Sequence, residues 1–328
     1  MIKQITVSTI TDELAQIRTR KKEFLSTIDR IVPWPEWYNI VLPYYYKGNY
    51  GNKPYELEKM LRIHLIQNLY DLSDMGTMTE IIDSRAFSEF CGVDSSNQVP
   101  DGDTIGRFRG ILVKHGLQKK MFEQVVELLK DRGLLLKKGT IVDSTIIDSP
   151  SSTKNVKKER DPEAHQTRKG KMWYFGYKAH IGVDKDSGLI HSLKVTAANV
   201  NDVTETPNLL TGDEDEVYGD SGYIGAEKRE NAKIKNNRGK KIRYKTNRRR
   251  SQVDKAKKES WYKYGQLRRR EREKSSVRAK VEHMFGVVKC LFKYRKTRYK
   301  GLHKQSEKLS MMFTLANLYL ACKKLKTA

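Results

Sequence analysis

The spacing of apolar residues predicts that the first part of the chain is helical. Between Tyr55 and Leu72 apolar side chains recur at intervals of three and four residues, which is the repeat of an amphipathic helix. His64 lies on that stripe and is expected to be a hydrogen-bonded core histidine. Residues 1–30 predict a short helix, and the proline-broken aromatic stretch 33–46 predicts a packed corner in a loop. Further helices are predicted over Thr79–Cys91, Asp103–His115 and Leu117–Arg132.

The pattern becomes strand-like at Gly139. The stretch Gly139–Pro150, GTIVDSTIIDSP, is rich in β-branched residues and apolar on both faces, as in the middle of a layered sheet. The polar stretch 151–171 predicts a mobile loop. Beyond it the chain predicts a hairpin of strands 173–183 and 189–197, a short helix 202–210, a strand 216–220, and helices over 275–292 and 303–323.

Charge indicates the kind of partner. The 328 residues include 64 Lys and Arg against 40 Asp and Glu, a formal net charge of +24. Such an excess favours a polyanion, most simply nucleic acid, because cations that contact phosphates release counterions. We expect no membrane partner and no secretion, because no apolar run reaches about eighteen residues and no leader pattern follows Met1. Three widely spaced cysteines suit a reducing cytoplasm.

Two parts of the chain are candidates for contact with DNA. In the first, the helix over 103–115 would be the second of a helix-turn-helix pair and would present Arg107, Arg109 and Lys114, although many helical domains share this outline. The second is the basic region 228–274. Its cations and one aromatic side chain would contact phosphates or bases, the alternative being a solvated face: Arg248, Arg249, Arg250, Trp261, Arg268, Arg269 and Arg270.

Three acids are the candidates for chemistry. Asp143 interrupts an apolar strand, where an unpaired carboxylate is costly, and Asp220 ends a later strand. Glu282 lies on the helix over 275–292, in line with Arg278 and Lys289; an ordinary Arg278–Glu282 salt bridge is the alternative. If folding brings the three acids together, they form an all-oxygen site that suits Mg²⁺ or Mn²⁺. Two such ions about 4 Å apart support in-line displacement at phosphorus.

These segments carry a resemblance to a known family. The set VDST at Asp143, GYKAHIGVD, VTAANVNDV, YGDSGY at Asp220 and RAKVEHMFGVVK at Glu282 resembles the DDE transposases of bacterial insertion sequences, specifically the insertion sequence family 5 group. The family's Tyr, Arg, Glu, Lys spacing is matched at Arg278, Glu282 and Lys289, with Ser275 in the place of the Tyr. VPDGDTIGRFR resembles the family's N-terminal helical domain, so the similarity runs from about Pro54 to the end.

The resemblance implies an α/β fold with an RNase H-like mixed sheet flanked by helices, preceded by an all-helical domain. The chain then divides into an N-terminal segment 1–53, a helical DNA-binding domain 54–135, and a catalytic domain 136–328 with a basic insertion at about 225–274. Asp143, Asp220 and Glu282 would hold two Mg²⁺ or Mn²⁺ ions. Arg278 and Lys289 would contact DNA phosphate near the scissile bond, or Arg278 would orient Glu282.

The implied activity is cleavage of the element's terminal inverted repeats and joining of the 3′-hydroxyl to target DNA. By analogy with the family, we expect a homodimer on double-stranded DNA, located in the bacterial cytoplasm. Asp148 falls five residues from Asp143 and is expected on the opposite strand face. His180 and His191 are expected to be core or substrate-facing polar residues. The alternatives are an RNase H-like nuclease without strand transfer, a DNA-binding regulator without catalysis, and a degenerate copy that binds ends but cannot cut.

Overall fold

The computed structural model describes residues 17–46, 53–136, 138–154, 156 and 158–327. The part of the predicted N-terminal segment before residue 17 lies outside this range, as do residues 47–52. The first half of the described chain is helical, as predicted. Its α-helices are α1 (Arg20–Ile31), α2 (Trp34–Val41), α3 (Leu57–Leu69), α4 (Asp74–Asp83), α5 (Arg85–Cys91), α6 (Gly102–Lys114) and α7 (Leu117–Asp131).

Two helical predictions need correction. The proline-broken aromatic stretch is not a loop: prolines that flank Trp34 occupy the start of α2, where their fixed φ suits a helix and a missing N–H costs nothing. The segment Thr79–Cys91 is not one helix, because Ser84 adopts an extended conformation between α4 and α5. The packed corner itself is confirmed, since Trp37 is fully buried and Trp34 packs edge-on against it.

The second half of the chain builds a mixed sheet flanked by helices. Its strands are β1 (Gly139–Asp148), β2 (His165–Lys169), β3 (Met172–Asp184), β4 (Ile190–Ala197), β5 (Glu216–Gly219) and β6 (Arg243–Thr246). β3 pairs antiparallel with β1, β2 and β4, whereas β1, β5 and β6 are parallel neighbours. The predicted strand order and hairpin are confirmed. β2 was not predicted; its residues were expected to lie in a mobile loop.

The helices of this half are α8 (Asp202–Leu209), α9 (Arg250–Glu259), α10 (Trp261–Gly286) and α11 (Leu302–Thr327), and α10 continues into a π-helical turn, Val287–Leu291. The predicted helix from Ser275 is therefore the second half of a much longer one. The second half of the basic region is helical, and α9 packs against α10.

One apolar core joins the two halves. Most of its buried members come from the helices before residue 132, from β1, β3, β4 and β5, and from α10 and α11. α11 packs against α1, α3 and α7 on the helical side and against β4 on the sheet. Asn317 of α11 donates to the Ile190 carbonyl and accepts from the Ile190 N–H, each at 2.8 Å. The helical part is therefore fixed to the sheet through α11.

Candidate active site

Strand pairing places the two predicted catalytic aspartates side by side. β1 and β5 run parallel and in step, with Gly139 opposite Glu216 and Ile141 opposite Tyr218. Continuing that step by two residues places Asp220, just beyond the end of β5, next to Asp143 in β1. Residues two positions apart in a strand lie on the same face of the sheet, so Asp143 shares a face with Ile141. Two carboxylates that lie 77 positions apart in sequence thus become neighbours at the carboxyl end of β5.

The electrostatics of Asp143 reflect this crowding. Burial raises the pKa of Asp143 to about 6, and repulsion from Asp220 and Asp202 acts in the same direction. Two contacts oppose the rise: the Ser144 N–H donates to Asp143 Oδ1 at 2.8 Å, and Arg278 Nη2 lies 3.5 Å from Oδ2. Ionising this buried carboxyl group is therefore costly, and a bound cation would favour its charged form.

Asp220 is held by the turn that it begins. Its Oδ1 accepts a hydrogen bond from the Gly222 N–H at 2.8 Å and opens the 3₁₀ turn Ser221–Tyr223. Tyr223 is buried under the site, and burial together with the charges of Asp143, Asp202 and Asp220 raises the pKa of its hydroxyl well above the usual range. The phenol therefore stays neutral among the carboxylates.

Sequence reasoning missed Asp202. It is the first residue of α8, and its Oδ1 lies 3.1 Å from Lys178 Nζ and 3.7 Å from His180 Nδ1. Burial lowers the pKa of His180 to about 4, so this histidine is neutral, and its Nε2 is hydrogen-bonded to Thr196 Oγ1 at 2.8 Å. The expectation that His180 is a buried polar residue agrees with this. Asp202 stands in the VTAANVNDV segment, but an acid at a helix start usually only caps the helix, so its pattern gave no signal.

Arg278 and Glu282 do not pair with each other. The guanidinium of Arg278 turns toward Asp143 and donates from Nη1 to Asn247 Oδ1 at 3.2 Å. Glu282 lies one turn further along α10 and is exposed. Within the described residues, no group of three or more His, Cys, Asp or Glu side chains lies close enough to hold a metal ion. The role of Glu282 as the third ligand therefore stays a prediction.

Lys289 lies in the π-helical turn, beside the carboxyl-terminal part of β1. Its Nζ donates to the Ile146 carbonyl at 2.6 Å, and burial lowers the pKa of the ammonium. The side chain forms part of a cleft of about 390 Å³, to which Lys169 and Arg295 add two more cations. Asp148 lies in the same cleft rather than beside Asp220. Three cations and one carboxylate line the cleft, a positive balance that suits the path of a phosphate backbone.

The predicted DNA-contact residues fall into two groups. Arg109 already has partners within the protein: its Nη2 lies 2.7 Å from Asp74 Oδ2, and its guanidinium stacks 4.0 Å from the centre of the Tyr299 ring. These contacts favour a structural role for Arg109. The other residues are exposed: Arg107, Lys114, Arg248, Arg249, Arg250, Trp261, Arg268, Arg269 and Arg270. Trp261, at the junction of α9 and α10, is 72% exposed and presents its ring to solvent.

Comparison with known families decides the identity. A model described as the Transposase DDE domain matches residues 135–318, and a second, described as Transposase domain (DUF772), matches residues 12–110. The chain belongs to the DDE transposase family. The transposase is accordingly a metal-dependent enzyme of DNA cleavage and strand transfer, and its sheet is RNase H-like, as predicted. No solved structure gives a significant match.

The carboxylates suit the divalent ions that this family uses. Asp143 and Asp220 supply the hard oxygen donors that Mg²⁺ and Mn²⁺ prefer, and their mutual repulsion is what such an ion offsets. DNA is the partner that transposase activity requires, in agreement with the basic composition. No helix in the described part of the transposase is long and apolar enough to cross a membrane.

Proposed function

We propose that this transposase binds the terminal inverted repeats of an insertion sequence, hydrolyses the phosphodiester at each end, and joins the freed 3′-hydroxyl to target DNA. In the first step water attacks phosphorus and the 3′ oxygen leaves and takes up a proton. In the second step that 3′-hydroxyl attacks a target phosphodiester and releases a target 3′-hydroxyl. The observation that carries the proposal is the in-step placement of Asp143 and Asp220, with Arg278 directed at Asp143.

Each residue has a part in this scheme. Asp143, Asp220 and Glu282 would hold two Mg²⁺ or Mn²⁺ ions, which when bound activate the attacking oxygen and stabilise the leaving one. Arg278 would bind a non-bridging phosphate oxygen, since its guanidinium lies beside Asp143 and its side chain keeps 22% of its surface exposed. Lys289 would bind the backbone of the strand that lies in its cleft. These contacts fix the phosphate and help to exclude bulk water.

The DNA on either side of the scissile bond would follow the basic helices. Arg248, Arg249 and Arg250 precede and begin α9, and Arg268, Arg269 and Arg270 lie midway along α10, all exposed. Trp261 would stack on a base. Arg107 and Lys114 of α6 would contact a second stretch of the same end. A homodimer that holds two ends, action on bacterial cytoplasmic DNA, and membership of the insertion sequence family 5 group complete the proposal.

Cleavage of a labelled inverted-repeat end with Mg²⁺, Mn²⁺ or chelator tests the reaction. We expect cleavage and joining to a target plasmid by the native chain, and at least a hundredfold lower rate for Asp143→Asn and Asp220→Asn with unchanged DNA affinity in chelator. Asp186→Asn is the control, because it removes an exposed carboxylate from the turn between β3 and β4 and should keep the rate. Cut DNA without joined products supports the nuclease; activity that survives chelation contradicts the metal mechanism.

Glu282 needs its own comparison. Glu282→Gln should lower the rate as strongly as Asp220→Asn, whereas Glu273→Gln, a second exposed acid on the same helix, should not. Equal rates for native and Glu282→Gln proteins would remove Glu282 from the site and leave the two aspartates as the ligands.

A further inference from the structure

Asn247 extends the line of the two catalytic aspartates. β5 and β6 are parallel and in step, with Glu216 opposite Arg243 and Gly219 opposite Thr246. The next position pairs Asp220 with Asn247, and the Asn247 N–H donates to the Gly219 carbonyl at 3.0 Å. Neighbouring parallel strands therefore bring Asp143, in the middle of β1, Asp220, just after β5, and Asn247, just after β6, to matching positions of the register.

The Asn247 amide has a hydrogen-bond donor beside its oxygen and an acceptor beside its nitrogen. Its Oδ1 accepts from Arg278 Nη1 at 3.2 Å, and its Nδ2 donates to Glu271 Oε2 at 2.9 Å. Reversing the amide would set its NH₂ against a guanidinium and its oxygen against a carboxylate, so only one orientation satisfies both partners.

Glu271 is itself fixed, which gives Asn247 a firm support. Its Oε2 accepts from the Arg248 N–H at 2.9 Å, and its Oε1 accepts from Lys274 Nζ at 2.8 Å. The side chain is only 13% exposed. α10 thus contacts Asn247, just after β6, at two places. Glu271 accepts from its amide nitrogen, and Arg278, about two helical turns further along, donates to its amide oxygen.

Arg278 depends on this support. Its contact with Asp143 is long, at 3.5 Å, and its Nε has no partner among the described residues. The hydrogen bond to Asn247 is therefore the shorter of the two contacts that orient the guanidinium. Without it the arginine would retain rotamer freedom that the reaction would have to remove.

We propose that Asn247 is a positioning residue: it holds Arg278 against the aspartate pair, and Glu271 fixes Asn247. The inference rests on the proposed function, because it assigns Arg278 to the scissile phosphate. A hydrogen bond to a charged group of this kind corresponds to a change of about tenfold or more in rate when it is lost.

A double-mutant cycle measures this dependence. Asn247→Ala should lower the cleavage rate about tenfold in the native background, less than twofold in Arg278→Ala, and again about tenfold in Lys289→Ala. Melting temperatures in chelator should show the same coupling of Asn247 with Arg278, which is independent of activity. A purely structural asparagine would give equal losses in all three backgrounds and additive melting shifts, and either result overturns the proposal.

A polarity exchange supplies the second test. Asn247→Asp keeps the acceptor for Arg278 but places a carboxylate against Glu271, so we expect a loss of cleavage. Adding Glu271→Gln restores a donor to that contact and should recover at least half of the loss on a logarithmic scale. A double variant that cleaves no faster than Asn247→Asp contradicts the proposal that Glu271 fixes Asn247 against Arg278. A native chain that does not cleave contradicts the proposed function, whereas native cleavage with a neutral Asn247→Ala contradicts this inference alone.

Discussion

We expect His64 to make the folded transposase less stable in mild acid. The imidazole is 3% exposed in α3, and its Nε2 is 3.2 Å from Gln118 Oε1 and 3.0 Å from Asn68 Nδ2. Among the described residues Nδ1 has no partner, and the charges of Lys308 and Arg109 lie nearby. Burial, as the largest cause, lowers the pKa of His64 from 6.5 to about 4. A proton on Nδ1 would be buried without an acceptor.

The direction and size of the effect follow from linkage. The pKa in the folded state lies below the value of an unfolded chain, so the contribution of neutral His64 is complete above pH 6.5 and is lost as the pH falls toward 4. Half-way down this window, at about pH 5, the loss amounts to about 2 kcal/mol of unfolding free energy. At lower pH it approaches about 3 kcal/mol.

Urea unfolding between pH 7.5 and 4.5 measures it, with His64→Gln as the matched variant because glutamine keeps a polar group of similar size and does not titrate. The free energy of unfolding of the native protein should fall more steeply than that of the variant, and the two curves should converge by about 2 kcal/mol near pH 5. Parallel curves over this range would refute the argument that His64 is buried neutral.

Two further predictions concern stability and DNA affinity. Glu307→Ala should lower the free energy of unfolding by about 2 kcal/mol in thermal or urea unfolding, because Glu307 Oε2 accepts from the N–H groups of Gln118 and Lys119 at 3.0 and 3.3 Å; Glu307→Gln keeps an acceptor and should cost less. Replacing Arg268–Arg270 by alanine should reduce the salt dependence of DNA binding, in anisotropy titrations, by up to about 2.7 in log–log slope. Lys130→Ala, which removes an exposed cation from α7, should leave the slope unchanged.

The sheet was predictable because its signal is local. The run around Asp143 is apolar on both faces, the hairpin has a clear turn, and Asp220 directly follows a strand. Those features fix which strands neighbour one another once the parallel pairing forms. The proximity of the two aspartates was implied by the family resemblance and not by the local pattern, and the pairing register supplies its geometric reason.

Other features depend on contacts that no local pattern shows. β2 consists of polar residues, His165–Lys169, and forms only because β3 offers a free edge. Trp261 begins α10 inside the basic region, where the charged residues follow no apolar helical repeat. That half of the helix packs against α9, a contact that the local sequence does not show. Asn247 carries no chemical signal of its own. Its place depends on the register of β6 and on partners 24 and 31 residues away.

The packing of α11 against both halves of the protein has a consequence for shortened gene products. Because this helix contributes to the core of both halves, a protein that stops before Leu302 would lack packing for the α1, α3 and α7 surfaces as well as for β4. We expect such a product to unfold rather than persist as a competitor for the inverted repeats. Limited proteolysis should likewise release no stable amino-terminal fragment, so attachment to DNA and cutting would be lost together.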